Sequence, residues 1–276
     1  MTYSINSGGQ IVEFDEPKIM GILNITEHSF YDGGKYNSHK DKYIARAEQM
    51  IEAGAHIIDI GCMATNPNAP ELSQEQELHT VEEVLKNLLP RLKNTIFSLD
   101  TWRSKVATLG VQMGVHIIND ISGGDFDKNM FETIANLHVP YILTHTSGKP
   151  NIMQQNTDYE AVTVDVFTYL NQRLNTLRLL GVADVIIDPG YGFGKTILQN
   201  YELLKRQELF KELGCPILAG LSRKSLIYKL LDIDPQSALN ATTVVNTIAL
   251  LKGANILRVH DVKEAVEVVK IVKMVR

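Results

Sequence analysis

Apolar residues along the chain gather in short consecutive runs: Ile19–Leu23, Ile57–Ile60, Ile96–Leu99, Ile117–Ile118, Tyr141–Leu143, Val185–Ile187, Ile217–Ala219 and Ile256–Val259. Each run is too short for a helix, and it is apolar on consecutive positions. That is the pattern of a parallel strand buried on both faces. Between the runs, apolar positions recur at helical spacing over roughly 40–52, 73–87, 104–113, 128–137, 159–180, 200–212, 238–252 and 262–274. In the last of these, Val266, Val269 and Val272 share one helix face and read as core packing. Ahead of the first run, Ile5 and Ile11 flank the turn-prone Ser7-Gly8-Gly9, which predicts a short hairpin.

Four helix-to-strand joints look alike, with Gly54, Gly114, Gly181 and Gly253 just after a helix and before an apolar run. Glycine there suits the left-handed residue that ends a helix. Eight repeated strand–helix units predict one α/β domain over 1–276, a (β/α)8 barrel with a short N-terminal hairpin. An open doubly wound sheet is the alternative. It normally has fewer strands and a glycine-rich phosphate loop after the first, and NITEHSFYDGG is not of that kind. The stretch DPGYGFGKT ends like a P-loop, but Pro189 stands where the motif's first glycine belongs. The dinucleotide pattern fails there too, because Lys195 occupies the third glycine position.

Composition narrows the functional classes. The 276 residues are 44% hydrophobic and 21% charged, an ordinary globular balance. A net charge of −5 with no basic run argues against nucleic acid as a partner. Mean hydropathy is −0.06, no stretch approaches a membrane span, and the first residues lack the features of a signal peptide. Cys62 and Cys215 are too few for a disulfide framework, so two reduced thiols in a cytoplasmic protein are expected.

In a barrel of this type the C-terminal strand ends build the site. They carry Asn24, Gly61-Cys62, Asp100, Asn119-Asp120, His145, Asp188, Arg223-Lys224 and Arg258 with His260 and Asp261. Asp100, Asn119 and Asp188 suit a flat heterocycle with several N–H donors. Lys224, Arg258 and His260 supply donors and positive charge for an anion such as a phosphate. Two separate sets predict a two-ended site, ring at one end and phosphate at the other. With no HExxH or close His pair, a tightly held zinc is not expected; Asn24 and a phosphate could share Mg2+. Lys224 could alternatively form a Schiff base.

GILNITEHSFYDGG, IIDIG, SLDTWRSKVA, IINDISGG, DPGYGFGKT, GLSRKS and LRVHDV stand in this order. Over about residues 18–270 the chain resembles the dihydropteroate synthase family, the folate-pathway transferases that sulfonamides inhibit. The resemblance implies a homodimeric barrel that uses Mg2+. It also implies condensation of 6-hydroxymethyl-7,8-dihydropterin pyrophosphate with 4-aminobenzoate, giving 7,8-dihydropteroate and pyrophosphate by a dissociative displacement.

Position by position, the resemblance places Asp100, Asn119, Asp188 and Lys224 in the pterin pocket, Arg258 and His260 at the pyrophosphate, and Asn24 at Mg2+. Phe30 and Asp32 match first-loop residues that enclose aminobenzoate and face the developing cation. Thr65 and Pro67 fall in the second loop, and Ser225 matches a residue near the aminobenzoate carboxylate. Asp32, Lys224, Arg258 and His260 are the expected catalytic group. The chain departs from the family pattern in the loops: Glu27-His28 replace the usual Pro-Asp, and Asn66 replaces an Arg that normally reaches the pyrophosphate. Two other readings share the pocket, a pterin-binding methyltransfer module and a binding-only homologue with decayed loops. SRKS and RVHDV argue against the first, and intact Asn24, Asp32, Asp100, Lys224 and His260 against the second.

Overall fold

Most inward-facing strand faces carry an apolar side chain below and a polar one or a glycine above; the face with Met20 then Ile22 stays apolar. In the computed structural model, which describes residues 3–7, 9–25, 36–62 and 72–275, the chain opens with a hairpin of β1 (Ser4–Ser7) and β2 (Gln10–Glu13). A parallel sheet follows: β3 (Lys18–Asn24), β4 (Ile57–Gly61), β5 (Ile96–Asp100), β6 (Ile117–Asp120), β7 (Tyr141–Thr144), β8 (Val185–Asp188), β9 (Leu218–Ala219) and β10 (Ile256–Val259). The strands run β8-β7-β6-β5-β4-β3-β10-β9, and a lone parallel bridge, Ile187 to Ile217, joins the ends. The result is a nearly closed (β/α)8 barrel.

The closing strand is short for a local reason. Pro216 has no N–H to give to the ladder, and the N–H of Ile217 goes instead to the Asn255 side chain at 3.0 Å. The helices that wrap the sheet are α1 (Tyr36–Glu52), α2 (Gln74–Leu88), α3 (Ser104–Met113), α4 (Met130–Leu137), α5 (Val162–Leu179), α6 (Ile197–Lys205), α7 (Ser225–Leu231), α8 (Leu239–Leu251) and α9 (Val262–Lys273). The four joint glycines have positive φ, from 84° at Gly181 to 112° at Gly114, as the sequence predicts.

Side chains alternate across each strand. The outward set, with Ile19, Ile58, Ile60, Phe97, Leu99, Ile118 and Leu257, packs against the helices, and Val269 and Val272 of α9 belong to this core. The inward set begins at the bottom with Met20, Ile57, Ile117, Ile142, Ile186, Leu218 and Ile256, closed by Ile5 and Phe14 at the hairpin. Two residues further along the same faces come Asp59, Asn119, Thr144, Asp188, Gly220 and Arg258. Apolar packing therefore holds the lower barrel, and the upper barrel is free for chemistry.

Two expectations change. The single helix expected over 200–212 is α6 followed by a 3-10 segment, Gln207–Leu213. The break falls where buried Gln207 turns inward, bonding the Tyr191 hydroxyl at 2.8 Å and the Ala249 carbonyl at 2.9 Å. Helix α7 was not expected at all, because seven residues carry too little periodicity to stand out. No helix among the described residues is long and apolar enough to cross a membrane.

Candidate active site

The upper barrel opens into a cleft of about 170 Å3 whose lining includes Asn24, Asp100, Phe193, Gly220, Ser222, Lys224, Arg258 and His260. A larger hollow, about 530 Å3, lies at the other end beside Tyr3, Lys211 and Asn255. It is far from the polar strand ends, where a site is expected in such a barrel.

Arg258 crosses the barrel rather than waiting for an anion. Its Nε donates to Asp59 Oδ2 at 2.6 Å and its Nη2 to Asp100 Oδ2 at 2.7 Å. Asn119 Nδ2 also donates to Asp59 Oδ2, at 3.0 Å. Arg258 of the expected anion set is thus bonded to Asp100 of the ring set and, through Asp59, to Asn119. Burial pushes the Asp100 carboxyl upward, Arg258 pulls it down, and Asp59 and Asp120 add to the rise. One guanidinium serves two carboxylates, and the net result leaves the Asp100 carboxyl raised to about 7.

Asp188 accepts the Gly190 N–H at 2.8 Å. Burial pushes its carboxyl up, opposed by Lys224. The hairpin-like turn after β8 has no room for a side chain at Gly190: φ is 69°, and a Cβ would fall 1.8 Å from the His145 carbonyl oxygen. Lys224 Nζ donates to the Tyr191 carbonyl at 2.5 Å and lies 4.2 Å from the Phe193 ring centre. Burial pulls its pKa down to about 8, with Asp188 opposing and Arg258 assisting. Gly220 lies beside this pair: a Cβ there would stand in ordinary contact, 3.7 Å from Lys224 Nζ and 3.9 Å from Asp188 Oδ2.

His260 does not carry the positive charge expected of it. Burial, reinforced by Arg258, lowers its pKa to about 4, so the ring is neutral at pH 7. Its Nδ1 lies 3.0 Å from Ser222 Oγ. With Nδ1 accepting the hydroxyl proton, Nε2–H remains to donate.

Neighbouring polar residues serve the frame. Arg223, at φ 55°, forms a bidentate pair with Asp261 at 2.8 and 2.9 Å and turns from the cleft centre to the loop before α8. Asp120 caps the turn after β6 through the Ser122 and Gly124 amides and takes the Tyr141 hydroxyl at 2.7 Å. Lys195 of the rejected P-loop is buried, bonded to His145 Nδ1 and to the Gly190 and Phe193 carbonyls. Its donors hold the turn and are not offered to a phosphate. Cys62 is buried in the core, and burial raises its thiol pKa.

Asn24 is exposed at the end of β3, paired in register with Gly61. Ser225 is the half-buried first residue of α7 and does not line the cleft. Phe30, Asp32, Thr65 and Pro67, with Glu27, His28 and Asn66, lie outside the described residues. Sequence reasoning missed Asp59, Ser222 and Phe193. For Asp59 a signal existed: a lone carboxylate inside the apolar run Ile57–Ile60, at an inward position, needs a buried partner.

Comparisons with known proteins identify the family. The family model described as pterin binding enzyme matches residues 20–260. The dihydropteroate synthase of Escherichia coli (strain K12) is 39% identical over 267 residues, covering 96% of this chain and 94% of its own. The solved dihydropteroate synthase of Xanthomonas albilineans with 4-aminobenzoic acid has a TM-score of 0.91 and 32% identity, covering 100% of this chain and 98% of that one. The Yersinia pestis dihydropteroate synthase in complex with a sulfonamide drug gives 0.91 and 35%, with 99% of each chain covered.

Proposed function

The chain belongs to the dihydropteroate synthase family of pterin-binding enzymes, and on that premise we propose how its barrel mouth performs the family's reaction. It is a transferase of folate biosynthesis that joins 6-hydroxymethyl-7,8-dihydropterin pyrophosphate to 4-aminobenzoate. The observation that carries the site assignment is the convergence of Asp100, Lys224 and Arg258, from three separate strands or the loops after them, on one cleft, with Asp188 behind its Gly220 wall.

The pterin ring enters between Asp188 and Asp100, whose carboxylates take ring N–H donors, with Asn119 beneath and Lys224 donating to a ring acceptor. Arg258 has five N–H donors, of which two hold Asp59 and Asp100. Those remaining, with His260 Nε2–H, face the pyrophosphate. The methylene C–O bond breaks, pyrophosphate leaves with the electron pair, and the pterin ring delocalises the cation. Asp32 of the first loop is assigned the stabilisation of that cation. The arylamine nitrogen then attacks and its proton passes to water. An arylamine is neutral at pH 7, so no strong general base is required. Phe30 and Ser225 are assigned to aminobenzoate, and Thr65 and Pro67 of the second loop to substrate binding.

Mg2+ fits the residues present. It takes oxygen ligands, keeps several waters and is commonly shared with substrate phosphates. Asn24 offers an amide oxygen at the exposed end of β3, 3.1 Å from where a Gly61 Cβ would stand. No cluster of three His, Cys, Asp or Glu among the described residues forms an all-protein cage. The chemistry such an ion supplies is neutralisation of charge on the phosphate oxygens.

The chain is read as one domain over 1–276 acting as a homodimer. Val244, Ile248 and Leu251, 52%, 37% and 50% exposed, form an apolar stripe on α8 that a second copy would cover. A cytoplasmic location suits the unpaired Cys62 and Cys215. The direct test is chromatographic detection of 7,8-dihydropteroate from the two purified substrates. Its appearance supports the assignment, and its absence from folded protein contradicts it.

A further inference from the structure

Asp59 is wholly buried on β4, two residues below the mouth glycine Gly61, and its flanking residues Ile57, Ile58 and Ile60 are fully buried and apolar. Nothing in the packing of this strand calls for a charge. Removing a carboxylate from water is costly, and an apolar residue of similar size would often serve the fold as well or better. Asp59 nevertheless ties three strands together. Its Oδ2 accepts from Arg258 of β10 at 2.6 Å and from Asn119 of β6 at 3.0 Å, while its Oδ1 has no partner among the described residues.

Both contacts determine what the partners present to the cleft. The bond to Nε fixes the Arg258 guanidinium from one side while Asp100 fixes it from the other. An ionised carboxylate only accepts hydrogen bonds. The end of the Asn119 amide that faces Asp59 must therefore be its NH2, which leaves the carbonyl oxygen at the other end as the acceptor.

We propose that Asp59 is a positioning residue for the condensation, orienting Arg258 and setting the Asn119 amide so that its acceptor is available to a pterin N–H. This rests on the assignment of the cleft to pterin pyrophosphate. Asp59 touches neither substrate and acts through two residues that do.

The test compares wild type with Asp59→Asn, which keeps the shape but can donate where Asp59 only accepts. Folding is checked by thermal melting. Steady-state kinetics then give kcat/KM for pterin pyrophosphate and KM for 4-aminobenzoate. In a folded Asp59→Asn, kcat/KM for the pterin falls about 10–100-fold, the loss of one or two charge-assisted hydrogen bonds, while KM for 4-aminobenzoate moves less than about threefold. Combined with Asn119→Ala, the loss is less than the product of the two single losses, because both act through one contact.

A folded Asp59→Asn with unchanged kcat/KM in an active wild-type background overturns the proposal alone. A wild type that makes no dihydropteroate overturns the functional reading, and the proposal with it. If Asp59→Asn does not fold, Asp59→Ser takes its place. If neither folds, Asp59 is a stability residue and the proposal fails.

Discussion

Arg258 of β10 and Asp100 of β5 meet across the barrel at 2.7 Å, so the residue expected to grip the leaving group is anchored to one expected to bind the ring. The two ends of the site are mechanically one. Loss of either member is expected to disturb recognition of both halves of the pterin substrate.

Arg258→Ala should therefore weaken both ligands. It strands two buried carboxylates, and breaking such a pair costs about 3–5 kcal/mol. Calorimetry with pyrophosphate and with an uncharged pterin, alongside denaturant unfolding, is expected to show losses in all three. Pterin binding that survives intact would mean that Asp100 is held well enough without its partner.

Asp188→Asn keeps size but exchanges an acceptor for a donor. With one charged hydrogen bond to the ring removed, pterin affinity should fall by about 2–3 kcal/mol. Calorimetric affinity equal to wild type would take Asp188 out of the pocket.

The lowered pKa of Lys224, about 8, gives a pH signature. The charged form binds the anionic substrate, so affinity should be full below pH 8 and decline as pH rises through it. Lys224→Gln should bind weakly and without that decline. In the ligand-free chain the sign reverses: the cost of burying the ammonium is present below about 8 and is relieved as pH climbs toward the ordinary lysine value of 10.5. A substrate affinity that is flat from pH 7 to 9.5 would exclude a titrating contact from Lys224.

Gly190→Ala should cost on the order of 2–5 kcal/mol, from a left-handed backbone and from overpacking against the His145 carbonyl. Gly181, also at positive φ but with nothing within 4 Å of a Cβ, is the control and should lose only the backbone share. Equal melting curves for the two variants would show that the turn after β8 relaxes freely.

The barrel was legible because strand alternation and joint glycines are local signals. Ile57-x-Asp59, Ile117-x-Asn119, Ile186-x-Asp188 and Ile256-x-Arg258 each record an apolar floor and a polar mouth in three residues. What escaped was non-local. The partners of Asp59 stand 60 and 199 residues away, so an apparent interruption of an apolar run is the point where three strands are tied together. The neutral state of His260 was equally hidden, since it follows from burial beside Arg258 and no spacing reports that. Helix α7 was lost for want of length.

Pyrophosphate release from 6-hydroxymethyl-7,8-dihydropterin pyrophosphate, measured with and without 4-aminobenzoate, tests the account most directly. Release should match dihydropteroate formation mole for mole when both substrates are present, and should collapse in Arg258→Ala. A folded, pterin-binding wild type that releases no pyrophosphate with both substrates present would contradict it.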